Sequence, residues 1–126
     1  MTTPLYSILD GQGDLLLCGI FDLQDTHGFP IDASFEEAKM RGARIDWLEA
    51  MCTCWLNDPL KFDSFERQAS SLVGFDLMEK WCAYGAMFAA QNPDVAAFPN
   101  PVDEICRRTI AAKKAQAINL VRKSAD

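Results

Sequence analysis

The sequence predicts a mainly α-helical fold, a small bundle of four to five helices with a short N-terminal β-hairpin or irregular arm. Three observations predict it. Leu48, Met51, Cys52, Trp55 and Leu56 recur at the i, i+3, i+4, i+7, i+8 spacing of one helical face, and Leu77, Met78, Trp81, Cys82, Gly85, Phe88 and Ala89 repeat the pattern. Asn100-Pro101 is a helix-start signal, a capping side chain followed by a residue whose fixed φ suits the first turn. Residues 4–9 and 14–21 are short apolar runs around Asp10-Gly11-Gln12-Gly13, a turn-rich tetrapeptide between two prospective strands.

Taken in order, residues 1–33 form a hairpin and loop arm, with Gly28 and Pro30 marking 22–33 as loop. Residues 34–92 form the helical core. Ser34 with Glu37 has capping-box spacing and predicts a helix from Phe35 to Gly42. Asp46 caps a second helix that carries Asp46, Glu49, Thr53 and Asn57 on its polar side. Asp63 or Ser64 starts a third through Phe65 to Val73, and a fourth runs from Phe75 to Gln91, where Ala83, Gly85, Ala86 and Ala90 leave room for a neighbouring helix. Residues 93–101, with three prolines, read as an extended connector to a final helix over 102–123. On that helix Val102, Cys106, Ile110, Ala117, Leu120 and Val121 share one side and Arg107, Arg108, Lys114, Arg122 and Lys123 the other, with Lys113 a cation on the wrong side. One domain of 126 residues is expected.

Composition narrows the function classes. Apolar residues are 49% and charged residues 24% of the chain, the balance of a globular protein. No apolar run approaches the roughly 20 residues that span a bilayer, and the first residues, MTTPLYSILDG, lack a positive charge ahead of the apolar segment. A cytoplasmic protein with no membrane partner is expected. The five cysteines are an odd set in apolar contexts and read as reduced core thiols. Net charge is −6 and unevenly spread: residues 1–106 hold 17 acids against 6 bases, whereas 107–126 hold 6 bases against 1 acid. An acidic body repels phosphate and favours basic surfaces.

The residues that carry chemistry are few. Cys52 and Cys54 lie two apart, which on a helix points their thiolates about 200° apart, so they do not make a zinc pair. His27 is the one imidazole and sits in the polar loop among Asp22, Asp25 and Asp32, whose spacing matches no calcium loop. Gly11 and Gly13 are followed by neither Lys-Ser/Thr nor a helix, so no phosphate loop is expected. No metal, cofactor or catalytic residue is assigned. Ser34, Ala38, Gly42, Leu48 and Met51 resemble a helix-turn-helix, but Glu37 and Arg41 depart from it and Glu49 would present a carboxylate to phosphates.

By elimination the expected function is binding without catalysis. Asp22, Asp25, Asp32, Glu36 and Glu49 supply an acidic surface, Trp47 an aromatic anchor, and Arg107, Arg108 and Lys114 a basic one, for a protein partner that is basic or handles nucleic acid. In size and charge the chain is similar to the small inhibitors that phages and mobile elements direct at host systems, anti-CRISPR proteins among them. Two alternatives stand beside this: a helix-turn-helix regulator that binds DNA directly, which the acidic body disfavours, and a homodimer or larger assembly built through the small-residue helix.

Overall fold

The computed structural model describes residues 5–10, 12–28 and 30–125, with backbone alone at 26, 27 and 118–125. It is mainly helical, with a small three-stranded sheet at the N-terminal side. Strands β1 (Tyr6–Leu9) and β2 (Leu15–Cys18) pair antiparallel with Tyr6 opposite Cys18 and Leu9 opposite Leu15. Asp10 fastens the turn: its Oδ1 accepts from the N–H groups of Gln12 at 2.8 Å and Asp14 at 2.9 Å, and these bonds hold its carboxyl below the usual range. The expected hairpin is therefore present, but β2 stops at Cys18.

The next stretch corrects the expectation of a loop over 22–33. Gly19, at φ 91°, turns the chain into α1 (Ile20–His27), and Gly28, at φ 68°, ends it. Ile20, Phe21 and Leu23 bury the inner side of this helix, and Gly28, read as a loop marker, is its C-terminal boundary. Pro30 precedes α2 (Ile31–Met40), which starts four residues earlier than the Ser34 capping box implied. Ser34 lies inside the helix, buried, its hydroxyl donating to the Pro30 carbonyl at 3.4 Å. Pro30, with no N–H to leave unpaired, starts the helix in its place.

Strand β3 (Arg44–Ile45), not expected from the sequence, pairs parallel with β2. It leads into α3 (Trp47–Asn57), where Asp46 caps as anticipated by accepting from the Glu49 N–H at 3.0 Å. A 3₁₀ turn over Pro59–Lys61 runs directly into α4 (Phe62–Val73), so this helix starts three residues before Phe65. Helix α5 (Leu77–Gln91) starts two residues after Phe75 because Asp76 caps Met78 and Glu79. The connector is a 3₁₀ turn over Pro93–Ala97, anchored by buried Val95, and leads to α6 (Pro101–Ala125).

The core cluster draws on β2, β3 and α1 to α5, with Leu17, Phe21, Met51, Phe62, Phe65 and Leu77 among its members. Helix α3 lies at its centre, as the sequence implied: residues 49–54 are all buried. Phe21 meets Phe65 edge-on at 5.3 Å, and Trp55, Phe62 and Trp81 form a second aromatic group. Trp55 also donates through Nε1 to Asp103 Oδ1 at 2.7 Å, fixing α6 against α3. Four cysteines are buried as expected, but Cys82 is exposed on α5. No described helix is long and apolar enough to cross a membrane.

Candidate functional site

The first candidate is a buried polar junction where β1, α1, α3 and α6 meet. Asp46, Glu49 and Thr53 lie on the side of α3 that the pattern assigned to solvent, yet they are only 5%, 2% and 6% exposed. Glu49, expected on a partner-binding surface, is thus inside the protein. Its Oε1 accepts from the Gly19 N–H at 3.0 Å, and its Oε2 from the Tyr6 hydroxyl at 3.3 Å and the Thr53 hydroxyl at 3.2 Å. Asp46 Oδ2 accepts from Lys113 Nζ at 2.6 Å. The charged exception on the apolar side of α6 is therefore the counter-ion of a buried carboxylate.

The electrostatics follow from the geometry. Burial raises the Glu49 carboxyl above its ordinary value; the Gly19 amide and Thr53 oppose the shift, and the Asp46 and Asp22 charges add to it. Burial lowers the Lys113 ammonium, but the Asp46 charge and hydrogen bond outweigh it and leave the group raised. Cys18, which donates to Asp46 at 3.7 Å, has its thiol pushed well up by burial and by the two carboxylates. Burial likewise pushes Cys54 up to about 12. Thiols raised in this way are poor nucleophiles at neutral pH.

A cavity of about 380 Å³ opens beside this junction, lined by Tyr6, Asp22, Glu49, Thr53, Asn57 and Lys114 among others. It brings together three of the expected site residues, Asp22, Glu49 and Lys114. Asp22 is half-buried and accepts from Asn57 Nδ2 at 3.4 Å. With the Glu49 oxygens already occupied by three donors, the arrangement ties four elements together.

The remaining expected residues are dispersed. Asp25 is exposed and takes Lys61 at 2.6 Å; Asp32 and Glu36 are exposed one turn apart on α2, with Lys39 at 3.8 Å from Glu36. The basic helix is not a free cationic face over its described part: Arg108 bridges Asp94 and Glu104, Arg107 lies 3.6 Å from Glu104, and Lys113 is turned inward, leaving Lys114 exposed without an ion pair. Arg122, Lys123 and the His27 imidazole lie outside the described side chains.

The second candidate is an open apolar groove of about 560 Å³. Phe35 and Ala38 of α2, Ile45 of β3, Trp47 at the start of α3, and Leu72 and Phe75 around the end of α4 line it. Trp47 is half-buried, and Leu72 and Phe75 are 37% and 47% exposed. A smaller hollow on the far side of Trp47 shares Phe75 and continues to Trp81 and Tyr84. Trp47 thus stands at the middle of a continuous apolar surface, whose lining also includes Lys39 of α2 and Arg44 of β3. The sequence singled out Trp47; its companions come from separate helices, strands and the α4–α5 turn, which no periodic signal gathers.

The helix-turn-helix pattern does not have its geometry here. Residues 44 and 45 are strand, bonded to β2, and the helix that would enter a DNA groove is buried over residues 49–54. Among the described residues no group of three His, Cys, Asp or Glu side chains is placed to hold a metal ion. Compared with protein-family models, curated protein sequences and solved structures, the chain matches none.

Proposed function

We propose that this chain is a non-enzymatic protein-interaction module that engages a basic or nucleic-acid-handling protein through the Trp47 groove and the exposed carboxylates Asp32 and Glu36 of α2. The observation that carries this reading is the open groove: a hollow lined by apolar side chains around a half-buried tryptophan is the kind of place where a partner's anchoring side chain lodges. Apolar side chains of the partner fill the space around Trp47, Phe35 and Phe75, and Asp32 and Glu36 face its cations. Direct DNA binding is disfavoured because Arg107 and Arg108 are already engaged by the chain's own carboxylates. Free thiols suit a reducing cytoplasm, and an inhibitor of a host system is one role that the size and charge of the chain fit.

The test is affinity capture from host lysate after nuclease treatment, comparing the native chain with Trp47→Ala and with Asp32→Lys/Glu36→Lys. The reading expects a stoichiometric protein whose capture falls by about tenfold or more in each variant, the loss typical of an interface anchor, and weakens with salt. Recovery that requires nucleic acid, or that both variants retain, contradicts it. A second reading, self-association, is favoured by one observation: α5 leaves an apolar face exposed.

A further inference from the structure

We infer that the groove beside Trp47 receives its partner as an extended strand, whose main chain pairs with the open edge of β3 at Ile45. The inference rests on the reading of that groove as the interaction site and adds the form of what enters it. The sheet has the order β1-β2-β3, so β3 has β2 on one side and no strand on the other. Along a parallel pair, alternate residues direct both backbone groups at the same neighbour. Asp46 donates its N–H to the Leu17 carbonyl, and Leu16 lies opposite Arg44 and Leu17 opposite Ile45, so residues 44 and 46 face β2. The N–H and C=O of Ile45 therefore point away from the sheet, and among the described residues neither has a hydrogen-bond partner. The Glu49 N–H, one helical turn on, is taken by the Asp46 side chain instead of the Ile45 carbonyl. Ile45 is only 7% exposed. Buried backbone groups are almost always paired, because an unpaired one costs about as much as a lost hydrogen bond.

These unpaired groups select the occupant. Residues 43–47 line the groove without a gap, so the open edge runs along it for the length of a strand of about four residues. A helix has no free main chain along its side, and one lying in the groove would seal the Ile45 N–H and C=O without partners. An extended segment offers a C=O and an N–H at the required spacing, and its side chains, alternating in direction, reach the apolar lining around Phe35, Trp47 and Phe75. The charged side chains of the lining are already engaged, Arg44 by Asp10 and Asp14, Asp46 by Lys113 and Lys39 by Glu36. Recognition inside the groove thus falls to main-chain hydrogen bonds and apolar contact.

The probes are short capped peptides that alternate Val, Ile, Leu or Phe with Thr between terminal lysines. Each is compared with the same peptide N-methylated at alternate amides, in either register, and with a helix-forming peptide of Ala, Leu and Lys. Binding to the full chain and hydrogen exchange of the Ile45 amide are followed by NMR. The inference expects at least one alternating peptide to bind and to slow Ile45 exchange by about tenfold or more at saturation. Methylation in one register weakens that binding by about tenfold, the size of one or two net hydrogen bonds. Binding that leaves Ile45 exchange unchanged, tolerance of methylation in both registers, or binding by the helical peptide alone overturns the strand while leaving the groove as the interaction site. Slow Ile45 exchange that appears with rising protein concentration and no peptide assigns the edge to a second copy and overturns it as well, as does the failure of every alternating peptide to bind at millimolar concentration. An alternating peptide that slows Ile45 exchange and binds Trp47→Ala as tightly as the native chain upholds the strand and removes Trp47 as the anchor.

Discussion

The polar junction around Asp46 and Glu49 and the outer face of α5 reverse the usual arrangement in opposite ways. At the junction, carboxylates and an ammonium lie inside the protein; on α5, an apolar helix lies largely outside it. The difference between them is satisfaction. Asp46 has Lys113 and the Glu49 amide, and Glu49 has Gly19, Tyr6 and Thr53, so the junction is complete within one chain. The α5 face and the Trp47 groove have no such completion within the described residues. Buried polarity here reports on how the fold is held, and exposed apolarity is where the proposed function places a partner.

The largest effect that would break this comparison is removal of one charge from the junction. Lys113→Ala leaves Asp46 buried without its counter-ion and is expected to lower unfolding free energy by about 3–5 kcal/mol, read from denaturant midpoints. Replacing both partners, as Asp46→Asn with Lys113→Met, recovers part of that loss because no buried charge is stranded. If the single and double variants are equally destabilised, the ion pair is not what the junction depends on.

A smaller effect sharpens the role of Glu49. Its carboxyl is raised above the ordinary 4.5 in the folded protein, so the folded state holds the proton more tightly than the unfolded one. Its contribution to stability is full below 4.5 and is lost as the pH rises through the folded value. Stability of the native chain relative to Glu49→Gln is therefore expected to increase as the pH is lowered from 7 to 4.5. A difference independent of pH over that window contradicts a raised carboxyl. Taking the difference removes the opposing trend from carboxyls such as Asp10 and Asp94, whose hydrogen bonds lower them.

On the other side of the comparison, Met87→Gln is expected to change the unfolding free energy of the monomer by less than about 0.5 kcal/mol, as surface substitutions do. The smallest effect belongs to Arg108→Ala. Its bridges to Asp94 and Glu104 lie at the surface, and thermal unfolding is expected to be nearly unchanged.

Much of the fold was legible in the sequence, and the failures share a cause. The periodic face of α3, the Asp46 cap and the Asn100-Pro101 start all express local rules, and the structure keeps them; α5 forms where its period places it, but Cys82 of its expected face is exposed. Helix α1 was hidden because its boundaries are glycines and its inner face has only Ile20, Phe21 and Leu23 to declare it. Strand β3 has two residues and exists only through its pairing with β2, which no local pattern encodes. At the site level, Trp47 could be picked out as an anchor, but the groove around it is assembled from five elements. Glu49 looked like surface because period assigns faces by hydrophobicity, and a hydrogen-bonded carboxylate defeats that rule. Lys113 was the available clue: a cation on an apolar face signals a buried acid.

One measurement sets the two regions against each other most directly: partner capture and unfolding midpoint recorded in parallel for Trp47→Ala and for the Asp46→Asn/Lys113→Met double variant. The account predicts that Trp47→Ala loses the partner while keeping most of its stability, and that the double variant loses stability while keeping the partner under native conditions. If Trp47→Ala captures normally and the folded double variant does not, the interaction site is the polar junction and the account is wrong.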